Sequence, residues 1–251
     1  MKKITHLPIK KLPLQNSRLM NIVGVYAGFL FLLLISYIIS PASRTLQDFI
    51  NLLKQSSGLG MLSIGQTMII ITGGIDLCLG SIVTLVHVLT IGLMNGDPNR
   101  IIIVCLLGMA VGTAAGFFNG IGITKAHIAP FVMTLCTDFI LRGLYMIYTK
   151  GQPKGVLAEQ FRNLGRLRVL GLFPIGVLCW IVLSVFFIFI LKKTIFGNRI
   201  HMIGANPVCS TLSGVKNEYT IILVYTIAGF IAALTSIVLT MDMSAASLNL
   251  G

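Results

Sequence analysis

Charge is what this chain has least of. Across 251 residues only 10% are charged, and just seven of those are Asp or Glu, while 55% are apolar. Too few ionised groups are present to clothe a water-facing surface, which excludes an ordinary soluble domain and identifies an integral membrane protein. The 19 Lys and Arg against those seven acids give a net charge of +12. In a chain this apolar, that excess belongs beside membrane spans rather than on a nucleic-acid-binding surface. Catalytic signatures are missing too. The five cysteines, at 78, 105, 136, 179 and 209, are widely separated and contain no CxxC pair, so they read as small buried residues rather than disulfides or metal ligands. Four dispersed histidines make no HExxH, no serine sits in GxSxG, and there is no GxxxxGK[ST] phosphate loop. No metal, cofactor or acyl-transfer chemistry is expected, and any ATP hydrolysis must be done by another chain.

What is present is a series of apolar stretches. A transmembrane helix needs about 20 predominantly apolar residues. Stretches meeting or approaching that length lie at 21–40, 58–71, 75–94, 101–124, 129–148, 170–191 and 219–240. They leave connections too short for a soluble domain, so the expectation is one all-α polytopic bundle over 1–251 with seven spans. The tail 1–19 carries Lys2, Lys3, Lys10, Lys11 and Arg18 and no acid, which places the N-terminus in the cytoplasm. An apolar stretch of about 20 residues after that tail fits an uncleaved anchor better than a signal peptide. If all seven cross, the loop 192–218 is cytoplasmic, with Lys192, Lys193, Arg199 and Lys216 against Glu218. The charge rule is weak overall: ten Lys and Arg fall inside and eight outside, because Lys150, Lys154, Arg162, Arg166 and Arg168 face outward.

Four local patterns interrupt the apolar background. Thr72, Gly73 and Gly74 break a hydrophobic run just before Asp76. An ion at a bilayer centre costs roughly 2.5–3.5 kcal/mol even on lenient scales, so Asp76 needs a reason. Capping the next helix is one, and contact with a permeating solute is the other; discontinuous helices allow both. Gly108, Gly112, Gly116 and Gly120 recur at i, i+4 along one face. They predict a close helix crossing, with a pore lining near Thr113 and Asn119 as the alternative. Asp138 and Arg142 stand four apart and neutralise each other toward the bundle interior, leaving Arg142 donors to offer a hydroxylated ligand. In 196–215, Gly197, Gly204, Pro207 and Gly214 punctuate a polar interruption. Asn206 before Pro207 predicts a capped short helix through about Ser213, closed by Gly214, which is either a connector or a docking surface for another subunit.

Five ordered blocks carry a family resemblance: ITGGIDLCLGS at 71–81, GFFNGIGITKAHIAPFVMTL at 116–135, LRGLYMIYTKGQP at 141–153, FGNRIHMIGANPVCSTLSGV at 196–215 and LVYTIAGFIAALTSIVLTMDMSAASLNLG at 223–251. From about residue 58 onward the chain resembles the permease subunits of bacterial binding-protein-dependent ABC importers of the ribose, arabinose, xylose and autoinducer type. The resemblance implies a multi-pass protein of the bacterial inner membrane that translocates a pentose, hexose or related polyol-like solute. It implies as partners a second permease copy or paralogue, a periplasmic sugar-binding protein and a cytoplasmic ABC ATPase. It also implies that Asn206 to Gly214, with Leu212 and Ser213, form the coupling helix seated on the ATPase. Two departures stand out. Asp138 occupies a position that is usually uncharged in this family, and the family pattern continues past the SLNLG block. The chain is therefore expected to be C-terminally shortened, with a transport-inactive assembly subunit as the alternative to a working permease.

Overall fold

The computed structural model describes residues 14–39, 45–152, 154–169, 173–243 and 247–248. The expectation for the basic tail falls largely on residues outside these. The elements run α1 (Leu14–Ile39), α2 (Leu46–Ile71), α3 (Leu79–Met94), a 3-10 turn (Pro98–Arg100), α4 (Ile101–Thr124), α5 (Pro130–Thr149), α6 (Glu159–Arg166), β1 (Arg168–Val169), β2 (Phe173–Pro174), α7 (Ile175–Lys193), α8 (Ile195–Ala205), α9 (Pro207–Leu212) and α10 (Asn217–Asp242). Over their described residues, the seven apolar stretches fall on α1 to α5, α7 and α10. Among the described residues four helices, α4, α5, α7 and α10, are long and apolar enough to cross a membrane, and α3 and the Val23–Ile38 part of α1 are shorter apolar helices. The larger boundary differences from the sequence reading are these: α1 begins at Leu14 and α2 at Leu46, well ahead of 21 and 58, while 75–78 lies ahead of α3 rather than inside it and α7 begins at Ile175.

Packing divides the chain into two compact units, 1–51 and 52–251. In the first, α1 leaves most of its described apolar side chains exposed. The start of α2 is closed by a reciprocal cap: Thr45 Oγ1 accepts the Asp48 N–H at 3.2 Å, and Asp48 Oδ2 accepts the Thr45 N–H at 3.2 Å.

In the second unit α3 is the central helix, buried on nearly every side. It is wrapped by α4, α5 and α10. Such a helix needs no solvated face, and α3 carries no Asp, Glu, Lys or Arg, its Ser81, Thr84, His87 and Thr90 all being buried. The outer faces of α4, α5 and α7 expose Ile102, Leu106, Phe139, Leu144, Val185 and Phe189, an apolar surface that only lipid or another apolar partner satisfies.

The helices define two ends. At one, α4 finishes beside the start of α10, joined by an ion pair between Lys125 and Glu218. The C-terminus of α2 meets α8 at that end, where Gly204 lies against the Ile71 carbonyl. At the opposite end Gly155 lies against the Ile91 carbonyl of α3, and Gly165 of α6 against Met241 of α10. A buried polar string ties α3 to α10 near this second end. The Ser247 N–H donates to His87 Nε2 at 3.1 Å, which leaves the proton on Nδ1 to donate to Thr240 Oγ1 at 2.7 Å. Thr240 then donates to the Ser236 carbonyl at 2.6 Å, and Ser236 to the Val83 carbonyl at 2.6 Å.

Candidate functional site

The glycine series on α4 meets α10. A Cβ at Gly112 would stand 2.6 Å from the Ala233 Cβ and 2.8 Å from the Gly229 carbonyl, and one at Gly116 would run into the Tyr225 carbonyl. At Gly120 it would come 2.8 Å from the Ile222 Cα, and at Gly108 2.8 Å from a Val86 methyl. Three of the four glycines thus let α10 backbone approach, and Gly108 admits a side chain of α3. Gly229 answers from α10, packed against the backbone of Gly112 and Gly116. Lipid supplies no hydrophobic drive between spans, so this contact depends on close van der Waals approach.

Between α2 and α3 the chain turns inside the protein. Thr72 closes α2 by donating from Oγ1 to the Ile69 carbonyl at 2.7 Å, and Gly73 takes φ +83°. Gly74 has no room for a side chain, because a Cβ there would lie 2.5 Å from the Tyr225 hydroxyl. Asp76 is buried, and its Oδ1 accepts the Cys78 N–H at 2.8 Å. Cys78, not Asp76, holds the N-cap position of α3, so the carboxylate braces the cap from two residues upstream. Its Oδ2 has no hydrogen-bond partner among the described residues.

Around this break a polar cluster joins four helices. Asn119 of α4 donates to Cys78 Sγ at 2.9 Å and accepts from Thr137 of α5 at 2.6 Å. Thr134 of α5 accepts the Leu77 N–H at 3.3 Å, and Tyr225 of α10 donates to the Ile75 carbonyl at 3.3 Å. Asp138 is buried, with Ser81 donating to Oδ1 and Arg142 Nε donating to Oδ2 at 2.8 Å. Arg142 itself is 54% exposed, so of the predicted pair only Asp138 is interior. The structure therefore brings Thr72, Gly73, Gly74, Asp76 and Asn119 to one place, with Arg142 at its rim through Asp138. Sequence reasoning missed Ser81, Thr134, Thr137 and Tyr225, isolated hydroxyls on apolar helices with no local signal.

At the end that carries Lys125, the loop 194–216 folds into two helices rather than one. Gly197 in α8 packs against the Ile190 and Leu191 carbonyls and Gly204 against the carbonyl of Ile71, so both serve packing within the chain. The α9 helix is capped by Asn206 Oδ1, which accepts from Val208 N at 2.9 Å and Cys209 N at 3.1 Å, with Pro207 in the first turn. Gly214 ends it at φ +81°. Asn217, at the start of α10, donates to the Pro207 carbonyl at 2.8 Å and to Thr211 Oγ1 at 2.9 Å, fastening α9 to a long helix. Ser210 is buried in that joint, whereas Ser213 is exposed. Val208 and Leu212, four residues apart, are 66% and 83% exposed. Two hollows of about 520 and 610 Å³ flank this helix, the first lined by Lys125, Lys216 and Tyr219 and the second by His127, Val208 and Leu212. Two apolar side chains four residues apart thus stand exposed on a short, well-fastened helix.

Residues 49–251 match the family model described as branched-chain amino acid transport system / permease component. The ribose import permease protein RbsC of Bacillus subtilis (strain 168) is 33% identical over 234 residues, covering 92% of this chain and 72% of that protein. Its counterpart in Escherichia coli (strain K12) is 31% identical over 89% of this chain and 70% of its own length. The autoinducer 2 import system permease protein LsrC of Yersinia enterocolitica is 33% identical over 77% of this chain and 53% of its own length. No solved structure matches the chain. The family match over residues 49–251 and the identity to ribose import permeases over about nine-tenths of the sequence lead to one conclusion: the chain belongs to the sugar-type ABC importer permease family.

Proposed function

We propose that this chain is the translocating membrane subunit of a binding-protein-dependent ABC importer for a small hydroxylated solute, a pentose, hexose or related polyol-like molecule. The observation that carries the reading is the 33% identity to a ribose import permease across 92% of this chain. In it, seven spans cross the bacterial inner membrane with the N-terminus in the cytoplasm, and a second permease copy or paralogue completes the pathway. A periplasmic sugar-binding protein loads the outer end. A separate ABC ATPase grips α9 through Val208 and Leu212, the exposed apolar pair on a helix held by Asn206, Pro207 and Asn217. Because α9 is fastened to α10, and α10 runs along the glycine seam of α4 past Tyr225 to the break at Asp76, movement at the ATPase reaches the buried polar cluster through rigid elements. Asp76, Asn119 and Arg142 then stand beside the permeation path. The test is co-production with an ABC ATPase and a sugar-binding protein from the same organism, reconstitution into proteoliposomes, and ATP-dependent uptake of labelled ribose, other sugars and leucine. Saturable uptake of a sugar is expected. Uptake of leucine alone, or of nothing, overturns the reading.

A further inference from the structure

Arg142 stands where a lipid-facing ion is costliest. At ~1.5 Å per residue its Cα lies about 18 Å along α5 from Pro130 and about 10 Å from Thr149. An arginine at such a depth normally snorkels to the nearer interface. This one turns the other way. Its Nε donates at 2.8 Å to Oδ2 of Asp138, one turn closer to Pro130, so the guanidinium is held near the midpoint of the span. More than half of the side chain is nonetheless exposed, and the guanidinium makes no other hydrogen bond among the described residues. Hydrocarbon against that flank would leave its remaining N–H donors unsatisfied, so the flank borders water.

A second feature adjoins it. Between α2 and α3 the exposed Gly73, Ile75 and Leu77 alternate with the buried Gly74, Asp76 and Cys78. Non-helical backbone is tolerated at membrane depth only inside protein or against a water-filled cavity, so this exposed edge borders water as well. It reaches α5 where the Leu77 N–H donates to Thr134, one turn from Asp138 toward the Lys125 end. Ser81, in the first turn of α3, then donates to Asp138 itself. The open edge of the break and the open guanidinium thus follow one another along α5, from the Lys125 end toward the middle of the span.

We infer that a water-filled passage entered from the Lys125 end runs along the break to Arg142, and, resting on the importer function, that Arg142 hydrogen-bonds the solute there through Nη1 and Nη2. The buried Asp138 behind it cancels the charge of the guanidinium and leaves its outer donors open. Such a pair offers hydrogen bonds to adjacent hydroxyls without the net positive charge that repays an anion for its lost hydration. Neutral polyols are therefore accepted, and sugar acids and sugar phosphates are disfavoured. Asp138 acts through Arg142, as a positioning residue that sets which solute charge is tolerated.

The test uses the full chain with an ABC ATPase from the same organism, and with Cys105, Cys136, Cys179 and Cys209 replaced by serine. Leu135→Cys puts a thiol two turns from Arg142 on the same side of α5, and Leu144→Cys puts one on the outer apolar face. In nanodiscs, cationic and anionic methanethiosulfonates should both label Leu135→Cys and neither should label Leu144→Cys. Adding Asp138→Asn should raise the rate of the anionic reagent relative to the cationic one at least about tenfold, because a bared guanidinium concentrates anions. In proteoliposomes with the sugar-binding protein and labelled ribose as probe, Asp138→Asn/Arg142→Gln keeps amide donors and should retain uptake within about threefold. Asp138→Asn/Arg142→Leu should lose at least about tenfold, with its binding-protein-stimulated ATPase retained. A wild type that takes up ribose while Leu135→Cys stays unlabelled, or while the reagent ratio ignores Asp138→Asn, overturns the passage and its charge selection and leaves the importer function standing. Equal uptake by the Gln and Leu variants overturns the solute contact. A wild type that takes up no sugar overturns the importer function and the solute contact with it.

Discussion

Asp76 is a single carboxylate whose two oxygens have different surroundings. Oδ1 holds the N–H of Cys78 and so sets the entry to α3, while Oδ2 has no partner among the described residues. Asparagine keeps the accepting oxygen and discards the charge, and alanine discards both. Asp76→Ala should therefore cost about 1 kcal/mol more than Asp76→Asn in the thermal unfolding of the detergent-solubilised protein. Equal melting temperatures would remove the bracing role. Asp138 presents the complementary case. Its Oδ2 is held by Arg142 and its Oδ1 by Ser81, so Arg142→Ala strands a buried negative charge. Adding Asp138→Asn should recover folded yield lost by Arg142→Ala alone; no recovery would mean that the pair is not what stabilises this site. The i, i+4 spacing of Asp138 and Arg142 was legible because both lie on one helix. Ser81 was not, because it stands 57 residues from Asp138 and meets it only when α3 packs on α5.

At the level of elements, the α4–α10 crossing makes a graded prediction. A methyl at Gly116 would collide with main chain at Tyr225, whereas at Gly108 it would meet a Val86 methyl, which can turn. Backbone cannot yield as a side chain can, so Gly116→Ala should cost about 1–3 kcal/mol and Gly108→Ala distinctly less, read as loss of monodisperse yield and melting temperature. Equal effects would mean that the seam is not held by backbone approach. The four-residue glycine spacing announced a packing face, yet nothing local named α10 as its partner or Gly229 as its counterpart. The capped helix at 206–214 was more legible, because Asn206, Pro207 and Gly214 act on their immediate neighbours. The helices α6 and α8 escaped the sequence reading, since each is short and lacks a long apolar run.

For the whole molecule, the two ends make separable predictions. Leu212→Asp places a charge on the most exposed apolar side chain of α9 and should weaken co-purification of the ATPase, leaving membrane insertion and the yield of permease alone unchanged. Ser213→Cys is the better crosslinking position than Ser210, which is buried against Asn217. In intact cells a membrane-impermeant thiol reagent should leave Ser213→Cys unlabelled, while a cysteine at Lys154 should react. Labelling at Ser213 from outside would reverse the assigned orientation and remove the ATPase from α9.

Composition alone determined that this chain lives in a membrane as helices, because a charge-poor, apolar chain can satisfy its backbone in lipid only by internal hydrogen bonds. Apolar run length located the stretches that lie on α1 to α5, α7 and α10, and turn chemistry located the break at Gly73 and Gly74 and the capped α9. Only the tertiary structure decided which residues meet: that α10 fills the glycine seam, that Asp76, Asn119 and Thr137 converge on one break, that Gly204 packs on the last carbonyl of α2, and that a basic segment roofs one end. Each of these joins side chains or backbone far apart in sequence. Helices that are apolar on many faces carry no pattern stating which face goes where; that choice is made by close packing and by the few polar groups that must find one another.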